Sequence, residues 1–423
     1  MLTIEDGKIT NYEDLISRLE EFLSSTLFNK LPEFARKRIQ KELNYLKELL
    51  LNSRLPKIAI VGRTQSGKSS LINCIFGEKT REQGDGTKPK SEDCEWQSFE
   101  SHHGQIKILD SRGILDDITN TNIEKSKAEN TFFDAVKKEC PDIIIYLHKA
   151  KEFASLTDNE LNIIKKMINK VEKNNGSSVP LIGVISHIDS LFARNEPWPP
   201  KEHYQMQDIE NQKTAFFDKI CRIVDKNNLL SIFPVCTLTN YDSNGNINYS
   251  RSDNWGIESL VDFIINTLPQ DAQLKMATAA RINSTLKSFA NKVISIFATL
   301  SGAIGFQPIP FGDLPILVSL QLSLIMTIAY IGKGRITIED AKDFLIACGA
   351  NVGVGYGMRE LTRALLKLIP VAGNIGSGAL AAAGTFAIGK AASAYFIDGV
   401  SIEDVKRIFK KNHKKEEGVK FIN

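Results

Sequence analysis

The stretch KIAIVGRTQSGKSSLIN, residues 57–73, decides the fold. An apolar run, Ile58, Ala59, Ile60 and Val61, leads directly into GRTQSGKS, residues 62–69, which matches the pattern GxxxxGK[ST], and a helical pattern begins near Ser69. A strand that stops at a glycine and restarts as a helix is the context in which this pattern holds phosphate. Gly62 and Gly67 allow torsions and close approach that a Cβ would block. The N–H groups of Arg63, Thr64, Gln65, Ser66 and Gly67 can therefore turn inward on an anion, helped by the helix N-terminus that runs on through Ser70. Lys68 supplies a point charge for β/γ oxygens, a binding and a catalytic role, and the Ser69 hydroxyl is placed to ligate Mg²⁺.

Outward from this stretch, strand-like apolar runs alternate with helical ones. QIKILD (105–110), DIIIYLH (142–148), PLIGVIS (180–186) and SIFPVC (231–236) are separated by helical segments such as 161–171 and 257–268. Such alternation predicts a mostly parallel sheet with helices on both faces. Before it, Leu15, Leu19, Leu23 and Leu27 recur every fourth residue. After Pro32 a second stripe runs Phe34, Ile39, Leu43, Leu46 and Leu50, which predicts a helical hairpin. Beyond Pro269 the chain is mostly helical and rich in Ala, Gly, Leu and Ile. The expected organisation is an N-terminal helical hairpin over 1–55, an α/β nucleotide-binding domain over 56–270 and a hydrophobic helical domain with a basic tail over 271–423, the N-terminal helices joining the all-α part.

Two further constellations fall at strand ends. After QIKIL comes Asp110-Ser111-Arg112-Gly113, a DxxG in which Asp110 would hold Mg²⁺ through a water and the Gly113 N–H would reach a γ-phosphate. A hydroxyl from the loop between Lys79 and Asp93 should complete the metal site, and Thr87 and Ser91 compete for that role. PLIGVIS ends in Ser186-His187-Ile188-Asp189. A carboxylate at Asp189 can accept from the N1–H and 2-amino group of guanine, whereas adenine offers neither donor, so this residue selects GTP over ATP. His187 either lies along the base or is an ordinary loop histidine. Cys236 is a small buried residue whose neighbours' N–H groups are placed to touch guanine O6.

The net charge of +3 excludes the strongly basic balance of a nucleic-acid binder, so no nucleic-acid partner is indicated. Six scattered cysteines, without CxxC or Cys/His spacing, predict reduced thiols and no metal-thiolate site. The N-terminus lacks a basic segment followed by an apolar one, so a cytoplasmic location is expected.

With GRTQSGKSSLIN, LDSRGI and SHID read in order, the middle of the chain resembles Era-like P-loop GTPases, and GFQPIPFGDLPILVSLQLSLIMTIAYIG with the Gly/Ala-rich 368–396 resembles the helical domain of YcjF-type bacterial proteins. The resemblance implies a bacterial GTPase that binds GTP/GDP and Mg²⁺, with peripheral association at the inner face of the membrane. It also exposes a departure: Ile114 follows DxxG where many switches place a water-orienting Gln. A hydrocarbon cannot polarise water, so hydrolysis would be slow without a partner or a second G domain in a homodimer. Gln65 stands where potassium-activated relatives carry Asn, so it either offers a carbonyl to K⁺ or faces solvent. The uncharged stretches 293–312, 314–332 and 368–389 fit either a packed bundle or contact with membrane lipid or a protein effector, and KRIFKKNHKK (406–415) would add attraction to anionic lipid. Two readings of function follow: a GTP-hydrolysing switch or mechanoenzyme that controls its helical domain, or a nucleotide-binding scaffold with negligible hydrolysis.

Overall fold

The computed structural model describes residues 33–50, 52–77, 95–100, 104–110, 115, 122–193, 195–239, 254–305, 314–334, 338–348 and 378–417. They divide into a sheet unit, Arg54–Ile282, and a helical unit drawn from the chain before Arg54 and after Ile282.

The sheet unit carries β1 (Lys57–Val61), β2 (Trp96–Glu100), β3 (Gln105–Asp110), β4 (Ile143–Lys149), β5 (Leu181–Ser186) and β6 (Leu229–Pro234) in the spatial order β2-β3-β1-β4-β5-β6. All neighbours are parallel except β2 and β3. With β3 on one side of β1 and β4 on the other, the winding reverses at β1. In open α/β sheets that reversal opens a crevice beyond the carboxyl ends of the strands. The residues dictate this packing. IAIV of β1, IIIYLH of β4 and LIGVIS of β5 are buried throughout, as strands covered on both faces must be.

β2, WQSFE, was not anticipated from the sequence. Its only large apolar residues are Trp96 and Phe99, which do not alternate, and it pairs antiparallel at the edge of the sheet. The final strand also differs, running Leu229–Pro234 rather than 231–236.

Helices α1 (Glu33–Leu50), α2 (Lys68–Phe76), α3 (Asn122–Lys138), α4 (Asp158–Asn175), α5 (His203–Cys221), α6 (Ile257–Thr267) and α7 (Gln270–Ala279) follow in chain order, α1 belonging to the helical unit and the rest to the sheet unit. α4 starts because Thr157 and Glu160 form a reciprocal capping box, and it stops at left-handed Gly176. α7, read from the sequence as the start of the helical region, is held on the sheet unit. The Arg54 N–H donates to Asp271 O at 2.9 Å, and the guanidinium reaches Asp271 Oδ2 and both oxygens of Asp142, each at 2.8 Å.

The helical unit adds α8 (Asn283–Gly305), α9 (Leu314–Lys333), α10 (Ile338–Ala347), α11 (Gly378–Phe396) and α12 (Ile402–Glu417). α11 packs on α8, α9 and α12, and α1 packs on α8. Small residues make the close approach possible, Gly389 meeting Ile294 and Gly302 meeting Ala382. One polar layer crosses this core: Gln321 Nε2 donates to Thr385 Oγ1 at 3.2 Å, which donates to Ser301 Oγ at 2.9 Å. Among the described residues no helix is long and apolar enough to cross a membrane.

Candidate functional site

The loop between β1 and α2 is shaped by what its glycines exclude. A Cβ at Gly62 would lie 2.6 Å from Leu147 O and 2.7 Å from Ser66 Oγ, closer than real Cβ atoms come, so only glycine closes this turn. Gly67 has φ +95°, in the left-handed region, and Gln65 has φ 64°. Gln65 and Thr64 are exposed at the loop tip, the solvent-facing alternative for Gln65. Lys68 is 8% exposed, and its Nζ donates to Gly62 O at 2.6 Å and Arg63 O at 2.9 Å, so the ammonium bridges the loop. Ser66 Oγ is buried and has no hydrogen-bond partner among the described residues. A cradle that a Cβ would fill, an orphaned hydroxyl and a cation resting on carbonyls suit a phosphate chain.

The parallel register delivers the other groups to the same edge. Ile60 of β1 lies opposite Asp110 of β3, which brings that buried carboxylate beside the strand leading into the loop. Ser69 and Ser70 occupy the first turn of α2. A carboxylate and a hydroxyl of this kind are hard oxygen donors, the chemistry that Mg²⁺ takes. Gly113, Ile114, Thr87 and Ser91 lie outside the described residues.

At the end of β5, Ser186 is fully buried and its Oγ donates to Ser66 O at 2.7 Å and to His148 O at 3.3 Å. This bond ties the phosphate loop to the segment bearing Asp189. His187 has φ 53°, and its ring lies against the phosphate loop, with Cε1 3.3 Å from where a Cβ on Gly67 would stand. Burial pushes its pKa down, and Lys149 adds to the effect, so the neutral imidazole is favoured there. Asp189 follows in the short 3-10 helix Ile188–Leu191.

The side chain of Cys236 is buried and its N–H donates to Trp255 O at 3.0 Å in an isolated antiparallel bridge, because the strand has already ended at Pro234. The Arg63 side chain is engaged away from the loop, with Nε donating to Glu160 Oε1 at 3.0 Å and Nη2 to Ser155 O at 2.8 Å. What it offers an anion is main chain alone.

Glu160 is the residue the sequence reading missed. It is 3% exposed, and Oε2 accepts from Tyr146 Oη at 3.1 Å. Burial, then the neighbouring Glu160 carboxylate, hold the Tyr146 phenol well above its ordinary pKa, and burial lowers that of His148 beside it. The signal available was TDNE, residues 157–160, a capping-box pattern ahead of an apolar run.

Residues 57–185 match the family described as 50S ribosome-binding GTPase, and residues 269–415 match a domain of unknown function, DUF697. Similar proteins include GTPase Der of Persephonella marina, 30% identical over 184 residues, covering 41% of this chain and 35% of that protein. GTPase Der of Trichlorobacter lovleyi is 26% identical over 211 residues, covering 49% and 42%. The chain thus spans less than half the length of these curated relatives. Among solved structures, Toc33 from Arabidopsis thaliana in complex with Mg²⁺ and GMPPNP is 12% identical, covering 60% of this chain and 95% of that one with a TM-score of 0.34. Era of Aquifex aeolicus bound to GDP and AlF4⁻ is 18% identical, covering 59% and 68%, with a TM-score of 0.33. The chain carries a GTP-binding GTPase domain with the P-loop fold, followed by a helical region.

Proposed function

We propose that the sheet unit hydrolyses GTP and that its nucleotide state controls the helical unit. The observation that carries this reading is the bond from Ser186 Oγ to Ser66 O, which joins a glycine-closed phosphate cradle to the strand end that presents Asp189. In this reading Lys68 turns its ammonium from the carbonyls of Gly62 and Arg63 to β/γ oxygens, and main-chain N–H groups of residues 63–70 hold the remainder of the phosphate chain. Ser69 and Asp110 hold Mg²⁺, joined by Thr87 or Ser91, and the metal supplies charge neutralisation at the phosphates. Asp189 accepts from guanine and thereby rejects adenine, while His187, neutral and seated on Gly67, borders the base. Gly113 senses the γ-phosphate. With Ile114 after it, turnover is slow until a second protomer or another partner orients water.

Replacing Lys68 by Ala removes a charge-assisted contact of about 1.5–3 kcal/mol, so GTP affinity should fall at least about tenfold by equilibrium titration. Unchanged affinity would sink the assignment. Asp189→Asn should move preference from GTP toward XTP, whose C2 carbonyl accepts from the new amide; a variant that keeps the wild-type preference would remove Asp189 from the base site.

A scaffold with negligible hydrolysis is the second reading, favoured by Ile114 alone. Specific activity that rises with protein concentration and then saturates supports the self-assembling enzyme, and no turnover at any concentration supports the scaffold. For the helical unit, lipid contact predicts greater liposome flotation with a non-hydrolysable GTP analogue than with GDP. Equal flotation would leave a constitutive anchor, and none would leave a protein effector.

A further inference from the structure

We infer that Glu160 and Arg63 form a brace that holds the phosphate loop in register with the base-binding segment, making both of them positioning residues for the nucleotide. The inference rests on the nucleotide site proposed above but assigns roles outside its motifs.

The geometry is unusually complete for a capping glutamate. A capping box asks only that its carboxylate meet the N-cap N–H, and Glu160 Oε1 does so at 3.4 Å from Thr157 N. The same oxygen also accepts from Thr157 Oγ1 at 3.2 Å and from Arg63 Nε and Nη2, while Oε2 accepts from Tyr146 Oη. Four of these five donors converge on Oε1 and one on Oε2, so the carboxylate is held from both oxygens and chiefly through the one that meets Arg63. It is nine-tenths buried or more, where a charge without such partners would be costly.

Arg63 is the first residue after Gly62, so fixing its side chain fixes the main chain at the mouth of the cradle. The same guanidinium reaches the 3-10 segment Ala150–Ser155, through Ser155 O at 2.8 Å and Ser155 Oγ at 3.3 Å. That segment packs against Ile188–Leu191, which carries Asp189. One planar fork thus touches the phosphate side and the support of the base side together, a task for which Lys, a point charge, is no substitute. A ligand that spans both subsites gains when they are preorganised at the right separation, and loses affinity when one can drift from the other.

A purely structural cap forecasts something different. Glu160→Gln keeps an acceptor for Thr157 and preserves the start of α4, but gives up the charge that holds Arg63. The test measures GDP release by stopped flow in the full chain, at a temperature well below each variant's unfolding midpoint. Glu160→Gln and Arg63→Ala should each release GDP about tenfold faster or more, Arg63→Lys should be nearly as fast, and the Glu160→Gln/Arg63→Ala double variant should be no faster than either single one. Wild-type release in folded Glu160→Gln or Arg63→Ala protein would overturn the brace, and so would additive effects in the double variant. Should Glu160→Gln fail to fold, Arg63→Ala and Arg63→Lys decide alone, since that side chain is partly exposed. Lys68→Ala, run in parallel, separates the two levels: wild-type GDP binding there defeats the nucleotide site, whereas weakened binding with an inert brace defeats only this inference.

Discussion

The two units bury polar groups in opposite ways. In the sheet unit the buried polar residues include ionisable ones, Lys68, Asp110, His148 and Glu160, and they gather with Ser66 and Ser186 around one edge of the sheet. Among the described residues of the helical unit they are neutral, Ser301, Gln321, Thr327, Thr385 and Ser393. Thr327 returns its hydroxyl to Ser323 O one turn back, and Gln321, Thr385 and Ser301 share the thin layer described above. Buried charge is expensive and persists where partners or a ligand repay it, whereas buried hydroxyls are cheap wherever a helix carbonyl is near. The difference separates a region shaped for a charged ligand from one shaped by packing.

The sharpest way to break that comparison is to place the same defect in each unit. Gly62→Ala forces a methyl to 2.6 Å from Leu147 O and should weaken GDP binding about a hundredfold or more, roughly 3 kcal/mol, while shifting the unfolding midpoint less than that loss implies. Retained binding would mean that the cradle yields. Gly332→Ala brings a methyl to 2.5 Å from Phe396 O in the helical unit. Overpacking there should cost about 1–3 kcal/mol in denaturant titration and change GDP affinity far less than Gly62→Ala does; an equal loss of affinity would erase the contrast between the two units.

Acid sharpens the contrast further. Burial lowers the pKa of His148 and, with Lys149, that of His187, so the folded sheet unit resists protons that an unfolded chain binds near about pH 6.5. The stability these histidines contribute is complete above that value and declines as pH falls through it. The sheet unit should therefore lose stability between pH 7 and pH 5 more steeply than the helical unit, and His148→Gln should flatten the decline. An unchanged slope would exonerate His148.

The smallest effect is expected at Gln321, whose Oε1 is buried without a partner among the described residues. Gln321→Met keeps the volume and removes that orphan, so it should be neutral or stabilising by up to about 1 kcal/mol in the unfolding of the helical unit. A clear loss of stability would show that the polar layer supports the bundle.

Much of the sheet unit was legible because its signals are local. β1, the glycine-closed loop and α2 follow one another without a gap, and each step is enforced by backbone sterics that the residues carry with them. Asp110 and Asp189 could be placed at strand ends because apolar runs stop there. The unanticipated β2 shows the limit, since only Phe99 of this edge strand is buried and its two large apolar residues, Trp96 and Phe99, are three apart rather than on the period of two by which a half-covered strand is read. Cys236 marks another: Pro234 closes the strand early, and the partner that takes the Cys236 N–H, Trp255, lies across a segment no periodicity predicts.

The sequence by itself determined the alternation of strands and helices, the phosphate cradle and the chemistry available at each strand end, since turn geometry, apolar periodicity and donor type are properties of short segments. Tertiary structure alone decided that Arg63 turns to Glu160 rather than to the loop mouth, that Ser186 closes on Ser66, and that α7 stays with the sheet through Arg54 and Asp271. Each of these is a contact between residues far apart in the chain, and its energy depends on burial and on competing partners that only the folded arrangement supplies.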